Sequence, residues 1–183
     1  MSTDKSDWII KNEQTKYENP WIKVTEYQVI NPSGNHGIYG KVHYKNLAIG
    51  IIPVDHKGEI HMVGQYRFVL SKYSIEIPEG GGNPNTDPLE SAKRELKEET
   101  GLKAEKWEKL LEMHLSNSVS DELAIVYLAT NLSQEESEPE ETEKLTLLTM
   151  TVDEVYRMIL DNTITDAITV AAILRLKIMM LEK

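Results

Sequence analysis

Cysteine is absent from the 183-residue chain, and so is any long apolar stretch. Without cysteine there is no disulfide, no thiol nucleophile and no Cys-ligated zinc or iron–sulfur site, which is typical of a reducing compartment. No apolar run approaches the ~20 residues that a membrane helix needs. The first residues lack the basic-then-apolar layout of an export signal. We therefore expect a cytoplasmic protein without a membrane partner.

Basic residues are outnumbered by acidic ones, 20 against 30, which gives a formal net charge of −10. Six of the glutamates lie in residues 134–143, a run without any basic residue. The net charge of the rest of the chain is therefore near −4. An acidic surface repels polyphosphate backbones. We expect no nucleic-acid partner.

Apolar periodicity and turn residues predict both strands and helices. A hairpin is predicted at residues 21–44, around the turn at residues 31–35, and residues 47–54 are apolar enough for a strand covered on both faces. Further strands are predicted at 59–66, 73–77, 122–130 and 144–150, and helices at 88–100, 151–160 and 166–181. In the last helix, the predicted apolar stripe is Ile168, Ala171, Ala172, Leu174 and Ile178.

The helix at 88–100 carries a cluster of carboxylates. Asp87 is its predicted N-cap, Pro88 its first residue and Gly101 its left-handed end. At about 100° per residue, Glu95, Glu98 and Glu99 share one sector beside the apolar stripe formed by Leu89, Ala92 and Leu96. Such crowding is unfavourable unless a hard divalent cation is bound. The alternative is a solvated acidic helix face.

The segment around this helix resembles the Nudix signature. Gly80 opens the signature, and residues 94–102 (RELKEETGL) close it in register. Thr86 departs from the pattern, because the signature has a glutamate there. That position is not one of the usual metal ligands.

Residues 65–67 (QYR) and 76–80 (EIPEG) resemble the ADP-ribose and nucleoside-diphosphate-sugar pyrophosphatase branch of the Nudix hydrolases. This resemblance implies an α/β fold, an α/β/α sandwich around a mixed sheet, with an added N-terminal antiparallel β region. We expect the β region at residues 1–45 and the hydrolase domain at residues 46–183. The β region is expected to mediate formation of a homodimer.

The resemblance also implies the chemistry. A water activated by Mg²⁺ or Mn²⁺ would cleave the diphosphate bridge of a small-molecule nucleoside-diphosphate substrate into a monophosphate and a sugar phosphate. The implied metal ligands are Glu95, Glu98, Glu99 and the backbone carbonyl of Glu79. Arg67, Glu76 and Gly80 are implied at the substrate, while Arg94 orients the glutamates. The alternatives are a plain ion pair for Arg67 and a structural role for Glu76.

Three assignments stay open within the resemblance. The general base is expected in the acidic run, at Glu141 or Glu143 with Glu140 behind them, and Glu122 is a rival. Trp21 and Tyr39 match positions that clamp the nucleotide base, or they pack a hairpin or dimer interface. Asn117 stands where many ADP-ribose-preferring members have proline, so GDP-mannose and ADP-glucose are candidates beside ADP-ribose. The alternative function is a non-catalytic nucleotide sensor.

Overall fold

A computed structural model describes residues 6–134 and 145–182. The strands within these ranges are β1 (Ile9–Glu18), β2 (Ile22–Ile30), β3 (His36–Tyr44), β4 (Leu47–Pro53), β5 (Glu59–Arg67), β6 (Lys72–Glu76), β7 (Glu79–Gly82), β8 (Leu102–His114), β9 (Leu123–Gln134) and β10 (Thr146–Thr151). The helices are α1 (Pro88–Thr100), α2 (Val152–Leu160) and α3 (Ala167–Leu181), and a single 3-10 turn spans Phe68–Leu70. None of the described helices has the length and apolar character needed to cross a membrane.

The chain divides into two compact units, of which the first combines Met1–Asn46 with His114–Glu122. Its sheet has the order β1-β2-β3, and both pairs are antiparallel. The later segment joins β3 through backbone bonds, because Val42 N donates to Val119 O at 2.8 Å and Asp121 N donates to Val42 O at 3.3 Å. The first unit is therefore assembled from two stretches of sequence.

The second unit contains Leu47–Met113 and Leu123–Lys183. One of its sheets has the order β10-β5-β6, and the other has the order β7-β4-β9-β8. In the latter, β4 runs parallel to β9 and antiparallel to β7, so this sheet is mixed. The mixed α/β architecture and the antiparallel N-terminal sheet confirm the predicted fold class.

Helix α1 is fixed at both ends by its own sequence. The Asp87 side chain accepts from Leu89 N at 3.0 Å, and Gly101 closes the helix at φ 70° by donating to Lys97 O. These are the predicted caps. Ahead of the helix, the hydroxyl of Thr86 donates to Asn83 O at 3.1 Å and closes the turn. Thr86 therefore supports this loop although it departs from the signature.

The apolar stripe of α1 packs on the mixed sheet. Ala92 and Leu96 are fully buried in a cluster with Ile49 and Ile51 of β4 and with Ile125 of β9. Burying a leucine or isoleucine side chain contributes about 1.5–3 kcal/mol. The helix is therefore rigidly held, and its acidic sector has a fixed place against β7.

Some elements were not predicted from the sequence. Strand β1 is exposed along its whole length, and β8 alternates only weakly, so neither shows a clear apolar pattern. The stripe predicted on α3 is partly wrong, since Leu174 and Ile178 are exposed and Ile173 and Leu176 are buried instead. Helix α3 is apolar nearly all round, and such a sequence does not mark the buried face.

Candidate active site

Two glutamates of α1 lie against the backbone of β7. Glu79 N donates to Oε2 of Glu99 at 3.0 Å. A Cβ added at Gly80 would lie only 2.2–2.4 Å from the carboxylate atoms of Glu95, so that carboxylate occupies the space above the glycine. Glu95 and Glu99 are both buried. Two buried carboxylates therefore converge on the Glu79–Gly80 peptide, and only glycine leaves room for the first of them.

Arg94 ties the acidic sector together. Its Nη1 donates to Glu98 at 2.5 Å, and its Nη2 donates to Glu95 at 2.5 Å and to Gly81 O at 2.9 Å. Partial burial acts to lower the pKa of Arg94, but the charges of Glu95 and Glu98 raise it overall. Glu98 is less buried than its two companions and is held on the Arg94 side. Arg94 therefore binds two of the three signature glutamates at once.

Arg67 is held by two carboxylates from different sheets. Its Nε donates to both oxygens of Glu76, at 3.0 and 2.9 Å, and its Nη2 donates to Glu76 Oε2 and to Glu79 Oε1 at 2.5 Å each. Burial acts to lower the pKa of Arg67, but the bond from Glu76 and the charge of Glu79 raise it above its ordinary value. The ion pair considered as the alternative is therefore present, and a third of the Arg67 side chain remains exposed.

Asp166, the N-cap of α3, adds a third carboxylate near Arg67. Ligand oxygens of Glu76, Glu79 and Asp166 all lie within 4.8 Å of one another. Burial, followed by the charges of Asp166 and Glu76, raises the pKa of Glu79 well above its usual range. Among the described side chains, two buried polar atoms have no hydrogen-bond partner, Oε2 of Glu79 and Nε2 of Gln65. Three carboxyl groups thus surround one guanidinium at this point.

The oxygens that Glu95, Glu99 and Glu79 bring together fit a hard divalent cation. The donor set consists of carboxylate and carbonyl oxygens, which Mg²⁺ and Mn²⁺ prefer. Glu95 and Glu99 approach the same backbone, and the orphaned oxygen of Glu79 lies close by. Glu98 stands on the rim of this group, with its carboxylate committed to Arg94. The signature gave no indication of Asp166, because helix N-caps are common and the residue lies 67 positions beyond Glu99 in the chain.

The first unit has an aromatic cavity of its own, about 430 Å³ in volume. Trp8 and Tyr39 meet edge to face there, with ring centroids 5.2 Å apart, and the Tyr39 hydroxyl donates to Ser118 O at 2.6 Å. Tyr27 and Asn117 also line the cavity. Trp21 is 65% exposed and does not belong to the lining. Trp8 was missed because a single aromatic residue before a polar strand carries no pattern.

The candidate general bases fall into two groups. Glu140, Glu141 and Glu143 lie outside the described residues. Glu122 belongs to the first unit, directly before β9, and partial burial raises its pKa. Neither group is assigned by this geometry.

Comparison with known proteins agrees with the signature segment. The family described as "NUDIX domain" matches residues 44–172. The chain belongs to the NUDIX domain family. A second family, described as "Nucleoside diphosphate sugar hydrolase N-terminal domain", matches residues 8–42 of this NUDIX protein.

Individual relatives are similar over about two thirds of their length. A "Methanol dehydrogenase activator" of Bacillus methanolicus is 37% identical over 128 residues, which is 69% of either chain. An "ADP-ribose pyrophosphatase" of Bacillus subtilis (strain 168) is 34% identical over 128 residues, again 69% of either chain. One from Mycobacterium tuberculosis with the same name is 36% identical over 134 residues, 69% of this NUDIX chain and 63% of its own.

The fold also has a solved counterpart. The structure titled "Crystal structure of ADP compounds hydrolase" aligns with a TM-score of 0.85 over 96% of this chain and 95% of its own. At 21% sequence identity the likeness concerns the fold.

Proposed function

We propose that this NUDIX protein hydrolyses the diphosphate bridge of nucleoside-diphosphate-linked small molecules, namely ADP-ribose or sugar nucleotides such as GDP-mannose and ADP-glucose. The products are a nucleoside monophosphate and a sugar phosphate. The observation that carries the proposal is the convergence of Glu95 and Glu99 on the Glu79–Gly80 backbone. Relatives named as ADP-ribose pyrophosphatases support the substrate class.

Glu95, Glu99 and the Glu79 carbonyl would hold the cation, with Glu98 on its rim. When bound, Mg²⁺ or Mn²⁺ neutralises the diphosphate and lowers the pKa of a coordinated water. The chain's own contribution is to keep these carboxylates aligned. Arg94 performs this alignment by binding Glu95, Glu98 and the Gly81 carbonyl at once.

Arg67 supplies the phosphate contact in this proposal. Guanidinium groups bind phosphate oxygens through paired N–H donors. Both oxygens of Glu76 accept from Arg67, so in this proposal Glu76 acts on the substrate by holding Arg67. Gly80 follows Glu79 in β7, and its missing side chain leaves the space that the Glu95 carboxylate occupies.

The aromatic cavity of the first unit is our proposed site for the nucleotide base. A flat ring stacks on aromatic faces, and Trp8 and Tyr39 offer such faces in a cavity of about 430 Å³. Asn117, which stands in place of a proline of ADP-ribose-preferring members, lines this cavity and adds an amide. The side chain at position 117 can therefore influence which nucleotide base is bound.

A substrate panel tests the proposal directly. Purified protein with Mg²⁺ or Mn²⁺ is incubated with ADP-ribose, ADP-glucose and GDP-mannose, and monophosphate release is followed by chromatography. Glu99→Gln should lower kcat by about a hundredfold or more, as loss of a charged group at a reacting centre does. Glu112→Gln removes an exposed glutamate that pairs with Lys109, and it serves as the matched control. Failure of the wild type on every substrate, or full activity of Glu99→Gln, would refute the proposal.

The non-catalytic sensor is not favoured, since the signature glutamates are present and aligned. It predicts nucleotide binding by calorimetry without product over hours. The homodimer formed through the N-terminal region and the cytoplasmic location remain predictions. Light scattering tests the first, and a monomer mass would contradict it.

A further inference from the structure

The proposed chemistry assigns a role to the backbone carbonyl of Glu79 and none to its side chain. Its carboxylate nevertheless turns toward Arg67, and Oε1 accepts from Nη2 at 2.5 Å. Glu76 already binds the same guanidinium with both oxygens. Glu76 alone balances the charge of this guanidinium, so charge balance does not require the contact with Glu79. A geometric function accounts for this contact.

The donors of Arg67 can be followed one by one. A guanidinium has five N–H groups, one on Nε and two on each terminal nitrogen. Nε and one N–H of Nη2 face Glu76, and the other N–H of Nη2 faces Glu79. No bond of Nη1 is made within the part of the chain that the structure describes. The two N–H groups of Nη1 therefore form the one edge that a phosphate can use.

The two anchors come from different parts of the second unit. Glu76 lies on β6, where the register pairs it with Val63 of β5, so its side chain is on the same face as that of Arg67. Glu79 lies on β7 in the other sheet. The paired hydrogen bonds that Arg67 donates to Glu76 fix the plane of the guanidinium. The bond that Arg67 donates to Glu79 prevents the guanidinium from turning about the Glu76 carboxylate. Since Arg67 is the last paired residue of β5, it would otherwise be free to swing.

We propose that the Glu79 side chain is a positioning residue, which locks Arg67 so that Nη1 meets a phosphate oxygen of the substrate. The proposal rests on the proposed function, because it assumes that Arg67 contacts the diphosphate. It assigns the side chain a role separate from that of the Glu79 carbonyl. Substitution of the side chain tests it, since the carbonyl is retained.

The test is a double-mutant cycle with Arg67→Ala, Glu79→Ala and the double variant, using the panel substrate that the wild type hydrolyses fastest. Glu79→Ala should lower kcat/KM about tenfold, mostly through KM, which is the effect of one misplaced charge-assisted bond. Arg67→Ala should lower it further. The double variant should equal Arg67→Ala, because Glu79 acts only through Arg67.

Two further variants sharpen the result. Glu79→Gln keeps an Oε1 acceptor and should restore kcat/KM to within about threefold of the wild type. Glu112→Ala, the loss of an exposed ion-paired glutamate, should leave both constants unchanged. Calorimetry with ADP-ribose and EDTA gives a second readout, in which Glu79→Ala should weaken binding without any turnover.

Additive effects in the double variant would overturn the proposal, since Glu79 would then act independently of Arg67. It would also fall if Glu79→Ala lowered KM, because Glu79 would then be restraining Arg67 from the substrate. A Glu79→Gln variant as weak as Glu79→Ala would show that charge, not position, is what matters. Inactivity of the wild type on every substrate refutes the proposed function instead, so the two failures are distinct.

Discussion

Replacement of Gly80 by alanine separates the stability of the fold from the function of the site. The new Cβ would meet the Glu95 carboxylate at 2.2–2.4 Å, where an unstrained contact needs about 3.5 Å. The carboxylate must therefore move by roughly 1 Å or more. It is the far end of a flexible side chain, so it can turn away at a cost in unfolding free energy of about 1–2 kcal/mol.

The functional cost should be much larger. A displacement of about 1 Å in a group that orients reactants can lower the rate by about a hundredfold. We expect Gly80→Ala to lose about a hundredfold in kcat/KM and to bind Mn²⁺ more weakly in calorimetry, while its thermal midpoint falls by only a few degrees.

Gly37→Ala is the matched control, because a Cβ there meets nothing within 4 Å and the glycine lies in a strand. It should behave as the wild type. If Gly80→Ala keeps wild-type turnover and Mn²⁺ affinity, the Glu95 carboxylate has no part in the site. If both activity and folding are lost together, the separation argued from Glu95 is wrong.

Three other predictions concern both units. Partial burial acts to raise the pKa of Asp121, but the bonds donated by Lys41 and His43 lower it to about 2. The ionised side chain should therefore contribute about 1–2 kcal/mol to the free energy of unfolding, after allowance for its exposure. A group with a lowered pKa contributes its full stability above its unfolded pKa and loses it as the pH falls through its folded pKa. The gap in unfolding free energy between wild type and Asp121→Asn, measured with urea, should therefore be full at about pH 7 and mostly lost at about pH 2. An equal gap at both pH values would refute the prediction. Trp8→Ala should raise KM for the preferred nucleotide several-fold whereas Trp21→Ala should not, and the reverse order would contradict the proposed base site. Leu96→Ala should lower the unfolding free energy by about 2–5 kcal/mol, and a loss under 1 kcal/mol would mean that α1 is not held by its apolar stripe.

The sequence was most informative where local chemistry decides the structure. The ends of α1 follow from Asp87, Pro88 and Gly101, which act within one helical turn. The pair between Arg94 and Glu98 follows from the four-residue spacing. The apolar run in β4 correctly indicated a strand buried on both faces.

The parts that could not be predicted depend on pairing between distant segments. Asp166 approaches Glu79 only because α3 begins beside the β5–β6 pair, and no local pattern encodes that meeting. Arg67 contacts two glutamates that lie nine and twelve positions further along the chain, and only the β5–β6 register and the place of β7 bring them together. The cavity around Trp8 requires the return of residues 117–120 to β3. Tertiary pairing overrides single-sequence patterns at each of these places.

The return of His114–Glu122 to the first unit has a consequence for the order of events during synthesis. Strands β1, β2 and β3 are translated before residues 114–122 and can pair with one another first. The backbone bonds of Val42 to the later segment form only when Val119 and Ser120 have been made. Contacts that are this distant in sequence form slowly. The first unit is thus completed only after α1 and β8 have been translated, and a fragment ending at Asn46 would lack the segment that bonds to β3.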